Sequence, residues 1–421
     1  MRNLKVVIIG GGIGGLCLAQ GLRKSGINVA LHERDRSSSF RRQGYRLYID
    51  PHGHLALANN LPGYLFELFL RTSCKLNPWL LAYDEQLNAR GTTRLPSIDS
   101  TRQTGLERHA GADRLILRQI LIADMEDAVR FNSVFTHYEQ SSPAGRITAH
   151  FSDGTQDTGD VLVAADGIKS RVRKQYLPHA KVIDSGVWTA AGIVPMGEHS
   201  KSLIPGSLEN VMTTVVGQDK KFLGLAPVIF PRPAPPVNSR NDYFMCLFAA
   251  RREMYPISRA GTRAIRGLEL KRTVLEMVDE WHPRIRDILS LWDNSTLFLI
   301  NIRTSVPPFL WKSTNITLLG DAIHAMSPAL GAGANTALRD ADLLARRLSE
   351  ASRSERSLAE SIAAYESGMA EYAFPIVKAS AHNGRLLAGQ DPLPDPDPSD
   401  NPPPGVTRPT FALDADRIPG L

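Results

Sequence analysis

Three features of the sequence predict an α/β architecture: a discontinuous nucleotide-binding domain with a mixed, mostly antiparallel β-sheet domain inserted into it. The first is an apolar strand, a glycine loop, a helix, a second strand and an acid, in register at the N-terminus. The second is a pair of later buried strands, over 161–165 and 316–319, each opening onto glycine and aspartate. The third is a change between residues 182 and 302 from apolar runs to alternating segments broken by prolines, the pattern of antiparallel strands with one solvated face.

Residues 5–9 are apolar, β-branched and too few for a buried helix, so they read as a central strand of a parallel sheet. Gly10, Gly12 and Gly15 follow in G-x-G-x-x-G spacing. The first permits the tight turn, the second lets a pyrophosphate approach the backbone, and the third lets a helix over about 14–24 pack against the strand. That helix starts at the phosphate, where free N–H groups and the positive dipole end form an anion site. A second strand over 28–32 ends in Glu33, with Arg34 beside it as a further cofactor candidate. A carboxylate at this place accepts hydrogen bonds from both ribose hydroxyls and repels a 2′-phosphate, so the tight ligand is FAD or NAD rather than NADP. Together these residues predict a Rossmann-type fold.

The chain has 421 residues, 43% of them apolar, enough for two or three domains with full cores. No window approaches the apolar length of a membrane span, and no signal-peptide pattern precedes the first strand, so a cytoplasmic protein is expected. Cys17, Cys74 and Cys246 lie far apart without metal-ligand spacing, which supports neither a disulfide framework nor a zinc site; Cys17 reads as a small core residue. The net charge of +6 is spread along the chain and argues against a nucleic-acid partner.

A polar basic loop follows Glu33, then an alternating segment over 45–49 and a Pro-Gly turn. Here GYRLYIDPHGHLAL resembles the segment beneath the isoalloxazine ring of single-component, FAD-dependent aromatic hydroxylases, the family typified by p-hydroxybenzoate and salicylate hydroxylases. The resemblance implies that Arg41, Arg42 and Arg46 hold FAD phosphates or a nicotinamide cofactor, solvated loop arginines being the other reading. Residues 76–104 are irregular. In the next segment Leu115, Ile116, Ile120, Leu121, Ala123 and Met125 fall near helical spacing behind Asp113, a suitable N-cap. A matching family helix offers an arginine to the cofactor, and Arg118 occupies that position.

The strand over 161–165 opens into ADGIKSRVR. Set against the family's second fingerprint, D-G-x-x-S-x-x-R, the matching residues are Asp166, Gly167, Ser170 and Arg171. The resemblance gives Asp166 the ribityl side of FAD or the NAD(P)H groove. A helix is expected over about 272–281, and Trp188, Met212, Phe222, Phe244 and Met245 are candidate pocket liners, with core packing as the alternative for each.

In the third fingerprint, ITLLGDAIHAMSPALGAGANTALRDADLLARRL, Gly320 permits close approach, and the resemblance implies that Asp321 accepts hydrogen bonds from the ribityl hydroxyls. Gly333, Ala334 and Asn335 open a long helix with an apolar stripe through Leu338, Ala341, Leu344, Ala345 and Leu348. Directed at N1 and O2 of a flavin, its positive end would stabilise the reduced ring. Pro328 matches the proline near the flavin's oxygen-reacting face, and with Arg46 it is the candidate for a part in catalysis. His324 recurs in the family as a structural residue and is expected to brace Asp321 and the turn to Pro328.

The resemblance covers about residues 1–385. It implies an FAD-binding domain in three parts, 1–75, 105–181 and 303–390, and a substrate domain from 76–104 and 182–302. Residues 391–421, with nine prolines and six aspartates, form an extended tail or surface wrap. No second glycine fingerprint serves NADH or NADPH, as in a family where the nicotinamide binds transiently. The implied activity is a monooxygenase that uses O2, through a flavin C4a-hydroperoxide, on an electron-rich aromatic or polyketide-like small molecule, as a monomer or homodimer. The alternatives are an FAD-dependent dehydrogenase, oxidase or halogenase, or a binding protein with a vestigial site. The halogenase motif W-x-W-x-I-P is missing from the chain.

Overall fold

The computed structural model describes residues 3–38, 45–74, 76–77, 79–94, 109–142, 145–203, 211–231, 241–257, 265–308 and 311–394. Arg41, Arg42 and the tail beyond residue 394 lie outside these residues. Five parallel strands form the central sheet, in the order Ile316–Leu318, Val161–Ala164, Lys5–Ile9, Asn28–His32 and Val129–Arg130. Val6, Ile8, Val161 and Val163 have no exposed surface, as expected where helices cover both faces. The glycine-loop helix Ile13–Lys24 packs on the long helix Gly333–Ser352, and both pack on the helix Pro51–Asn60.

Pro51 and Gly53 do not make the expected turn. Asp50 and Pro51 instead start that helix: the Asp50 carboxylate accepts from Gly53 N at 2.7 Å, and proline occupies the first turn, where no N–H is needed. Gly53 is required for another reason, since a Cβ there would lie 2.4 Å from Asn335 Oδ1. Before this helix the strand Arg46–Ile49 pairs with Ala110–Asp113 as an antiparallel ribbon, with Arg46 opposite Asp113.

The inserted sheet has seven strands, in the order Phe298–Ser305, Val182–Pro195, Tyr243–Arg251, Phe222–Val228, Met212–Val216, Trp79–Tyr83 and Ala89–Arg94. All neighbours are antiparallel except Met212–Val216 with Trp79–Tyr83. Along Tyr243–Arg251 the two faces separate. Tyr243 and Met245 join the core shared with the nucleotide-binding domain, whereas Phe244, Cys246 and Phe248 join a second core. Trp188 belongs to that second core too, so Trp188 and Phe244 are packing residues and not pocket liners. Met212 and Met245 lie on the nucleotide-domain side, and Phe222 packs in a small cluster with Ala249 and Ala388.

The helix expected over 272–281 runs from Gly267 to Met277, and a second, Pro283–Ser290, follows it because His282 caps and Pro283 starts a new one. All three cysteines are buried free thiols.

The C-terminal helix Leu358–Ala388 begins with a capping box of Ser357 and Glu360. Its Glu366 is buried against the central sheet and accepts from Ser313 Oγ at 2.5 Å and Thr317 Oγ1 at 2.8 Å. Burial pushes this carboxyl up to about 7. A proton held in the folded state and released in the unfolded one at about pH 4.5 makes stability fall as pH rises from 4.5 to about 7. Glu366→Gln should flatten that slope, raising Tm by about 3–6 °C at about pH 8 and little at about pH 4, as read by thermal denaturation.

Candidate active site

The C-terminal ends of Lys5–Ile9, Val161–Ala164 and Ile316–Leu318 lie side by side, which gathers the three fingerprints at the sheet edge where ligands of open α/β folds bind. Ala165 N donates to Ile9 O at 2.8 Å and Leu319 N to Ala164 O at 2.9 Å, so the pairing runs into the loops. Gly10 has φ +112°, and a Cβ on it would lie 2.3 Å from Ala165 O. A Cβ on Gly15 would lie 2.2 Å from Gly10 O. Both positions exclude side chains because backbone meets backbone there. A Cβ on Gly12, by contrast, would meet nothing within 4 Å.

Glu33 is buried and already engaged. Its Oε2 accepts from Gly11 N at 2.6 Å and its Oε1 from Asp35 N at 2.9 Å. Arg118, also buried, donates from Nε to Gly11 O at 3.1 Å and from a terminal nitrogen to Ser38 O at 2.5 Å. Carboxylate and guanidinium thus hold the two successive peptide groups that flank Gly11 in the glycine loop, and Arg118 shapes that loop. Arg34 is exposed.

In the second fingerprint Asp166 Oδ2 accepts from Arg171 N at 2.8 Å, while its buried Oδ1 has no hydrogen-bond partner among the described residues. Burial raises its pKa. A Cβ on Gly167, at φ +76°, would meet open space. The side chain of Arg171 turns away to donate to Phe135 O at 2.7 Å. Counted strictly, the motif's arginine is Arg173, which is buried and donates to Ala322 O at 2.7 Å and Ile168 O at 2.9 Å. Arg173 therefore ties the second fingerprint to the third, and the match of the motif's arginine to Arg171 is corrected to Arg173. Ser170 caps the helix Arg171–Tyr176 through Arg173 N, at 2.9 Å.

Gly320 takes φ +60° and donates its N–H to Asp340 Oδ2 at 2.8 Å. The next residue, Asp321, is exposed to solvent yet hemmed in by protein; desolvation raises its pKa against the opposing pull of His324 and Arg114. His324 is 1% exposed and donates from Nε2 to Asp340 Oδ2 at 2.6 Å. Asp340 Oδ1 accepts from Tyr372 at 2.6 Å. The brace of this turn is accordingly Asp340, which the sequence reading missed, although an acid beside an apolar helical stripe was its signal. Burial works against charge on His324, and Asp340 outweighs it, so the imidazole pKa is raised.

Pro328 is exposed and begins a single turn, Pro328–Leu330, capped by Ser327 and ended by left-handed Gly331. Gly333 and Ala334 then open the helix Gly333–Ser352, whose N-cap, Ala332, offers no side chain to the first turn. Asn335 donates from Nδ2 to Tyr48 O at 2.8 Å and accepts at Oδ1 from Asp50 N at 3.0 Å. Its amide bolts the ribbon to the helix. Arg46 lies in the seam between ribbon and inserted sheet, with a terminal nitrogen 3.9 Å from Met212 Sδ.

Residues 116–380 match the family described as an FAD binding domain, and residues 8–69 match an NAD(P)-binding Rossmann-like domain. The chain belongs to the FAD-dependent aromatic hydroxylase family. It is 30% identical, with a TM-score of 0.79, to a structure described as an FAD-containing monooxygenase from Photorhabdus luminescens subsp. laumondii, over 91% of this chain and 98% of that one. It is also 30% identical to the dual O-methyltransferase/FAD-dependent monooxygenases elcB of Phaeosphaeria nodorum and CTB3 of Cercospora beticola, over 92% and 93% of this chain. The matches cover 46% and 47% of those proteins, so the chain spans about half their length.

The residues of this flavoprotein fit FAD. Gly12 and Gly167 leave open room, the long helix starts without a side-chain cap, Asp321 is open to solvent and Asp166 Oδ1 awaits a donor. Among the described residues no helix is long and apolar enough to cross a membrane.

Proposed function

We propose that this flavoprotein consumes NADH or NADPH and O2 to oxygenate an electron-rich aromatic or polyketide-like small molecule. The convergence of three fingerprints beneath an inserted sheet carries the reading, and the two relatives named as dual O-methyltransferase/FAD-dependent monooxygenases support it. Bound FAD supplies the activation of O2 and accepts reducing equivalents from the nicotinamide. Glu33 and Asp321 would hold its ribose and ribityl hydroxyls. The first-turn N–H groups of Gly333, Ala334 and Asn335, with a charge of about +0.5, would stabilise negative charge on the bound ring. Met212 and Met245 on the roof keep water from the reacting carbon, and Asp166 borders the groove for transient NAD(P)H. We further propose that the protein works in the cytoplasm as a monomer or homodimer, without nucleic acid.

The test is to purify the protein, look for bound yellow flavin, and follow NADH and NADPH consumption with a panel of phenols and naphthols. The expected result is consumption accelerated by an aromatic compound, with an oxygenated product. Consumption that proceeds equally without it, and releases stoichiometric peroxide, would favour an oxidase.

A further inference from the structure

The resemblance offered Arg46 to FAD phosphates or a nicotinamide cofactor, yet the residue belongs to the ribbon and lies outside the three fingerprints. It stands on Arg46–Ile49, and the main chain of that ribbon is fixed at Tyr48 O and Asp50 N by Asn335 in the first turn of the long helix. From there the guanidinium leans on Met212, the first residue of a roof strand. It therefore sits where floor, roof and the N-terminus of the long helix meet. Its Nε is buried and has no hydrogen-bond partner among the described residues.

The groups whose charges bear on Arg46 are Cys74, Tyr243 and Tyr48. Burial pushes the Cys74 thiol up to about 12 and the Tyr48 phenol higher still, so both are neutral near pH 7. The nearest acid in register, Asp113, spends Oδ1 on Leu115 N and Ile116 N and Oδ2 on Tyr243, as the cap of the following helix. A half-buried guanidinium whose Nε is closed off from water without a partner, beside neutral groups, is costly, and an anion that enters the seam offsets that cost.

We propose that Arg46 is the oxyanion subsite of the substrate pocket: it takes the ionised oxygen of a phenol or enol, and so selects acidic hydroxyaromatic substrates over their ethers. This rests on the monooxygenase reading. Ionisation of that oxygen makes the ring or enol carbon electron-rich, the property an electrophilic oxygen donor requires. Arg46 has a role distinct from that of Glu33 or Asp321, because it binds substrate and not cofactor.

The FAD-loaded protein is titrated at about pH 8 with 4-nitrophenol, largely ionised there, and with its methyl ether 4-nitroanisole, and the dissociation constants are measured by equilibrium dialysis. Wild type should prefer the phenolate by about tenfold to a hundredfold, the worth of a charge-assisted hydrogen bond. Arg46→Met should abolish the preference and keep its flavin, and Arg46→Lys should retain part of it, as a point charge does. Equal affinities in wild type, or no binding of either probe, overturn the subsite. Loss of flavin by both variants overturns it too and makes Arg46 a cofactor residue. A phenolate preference without any aromatic-stimulated NAD(P)H consumption upholds the subsite and sinks the monooxygenase reading.

Discussion

Asp340→Ala is expected to destabilise the protein by about 3–5 kcal/mol, the cost of stranding a buried charge. Asp340 has no exposed surface and accepts from Gly320 N, His324 Nε2 and Tyr372. Its removal leaves a buried imidazole without its counter-charge and frees the turn that presents Asp321. Flavin should be lost with the fold's stability, because Gly320 N helps to hold the third fingerprint in place. The effect depends on pH in a definite sense. His324 has a folded pKa raised above the ordinary 6.5, so its pairing contributes fully below about pH 6.5 and is lost as pH rises through the folded value. The gap in Tm between wild type and Asp340→Asn should thus be widest near pH 6 and narrow in alkali. A variant that melts with wild type at pH 6 would remove Asp340 from this account.

Glu33→Ala is expected to lower flavin affinity by about tenfold to a hundredfold and stability by about 1–3 kcal/mol. Two effects add. A charged acceptor for the ribose hydroxyls disappears, and the N–H groups of Gly11 and Asp35 lose the partner that orders the glycine loop. Glu33→Gln should also suffer, because its amide turns a donor toward one of those two N–H groups. Arg34→Ala, at an exposed neighbour, should retain wild-type flavin content. Flavin content after purification and quenching of flavin fluorescence on titration are the measurements; equal content in all four proteins would sink the assignment.

The parallel strands were legible because both their faces are buried, which writes them as continuous apolar runs bounded by glycine. The same burial hid the faces of the inserted sheet. Tyr243, Phe244, Met245 and Cys246 are all apolar because each side meets a core, so alternation gave no sign that Phe244 and Trp188 point away from the cofactor. In the sequence Pro51 reads as part of a turn, and the group that makes it a helix start is the Asp50 side chain on Gly53 N. Arg171 and Arg173 are near neighbours of one charge, and only contact separates a link between loops from a reach to Phe135. Glu33, Asn335 and Arg118 were read as ligand contacts because of the helix and glycine pattern around them. Their bonds to the protein's own backbone span more than twenty residues, a distance at which local pattern is silent.

The strand order carries a consequence for biosynthesis. Ile316–Leu318 is the last of the five parallel strands to leave the ribosome, yet it lies directly beside Val161–Ala164. Until it arrives, that strand is an open edge with unpaired amide and carbonyl groups, a template for wrong partners. The nascent chain can form the glycine loop early, but the turn at Asp321 and the uncapped helix emerge only after the whole inserted sheet. The turn and helix proposed to hold the cofactor are therefore completed late in the life of the nascent polypeptide, as the sheet's edge closes.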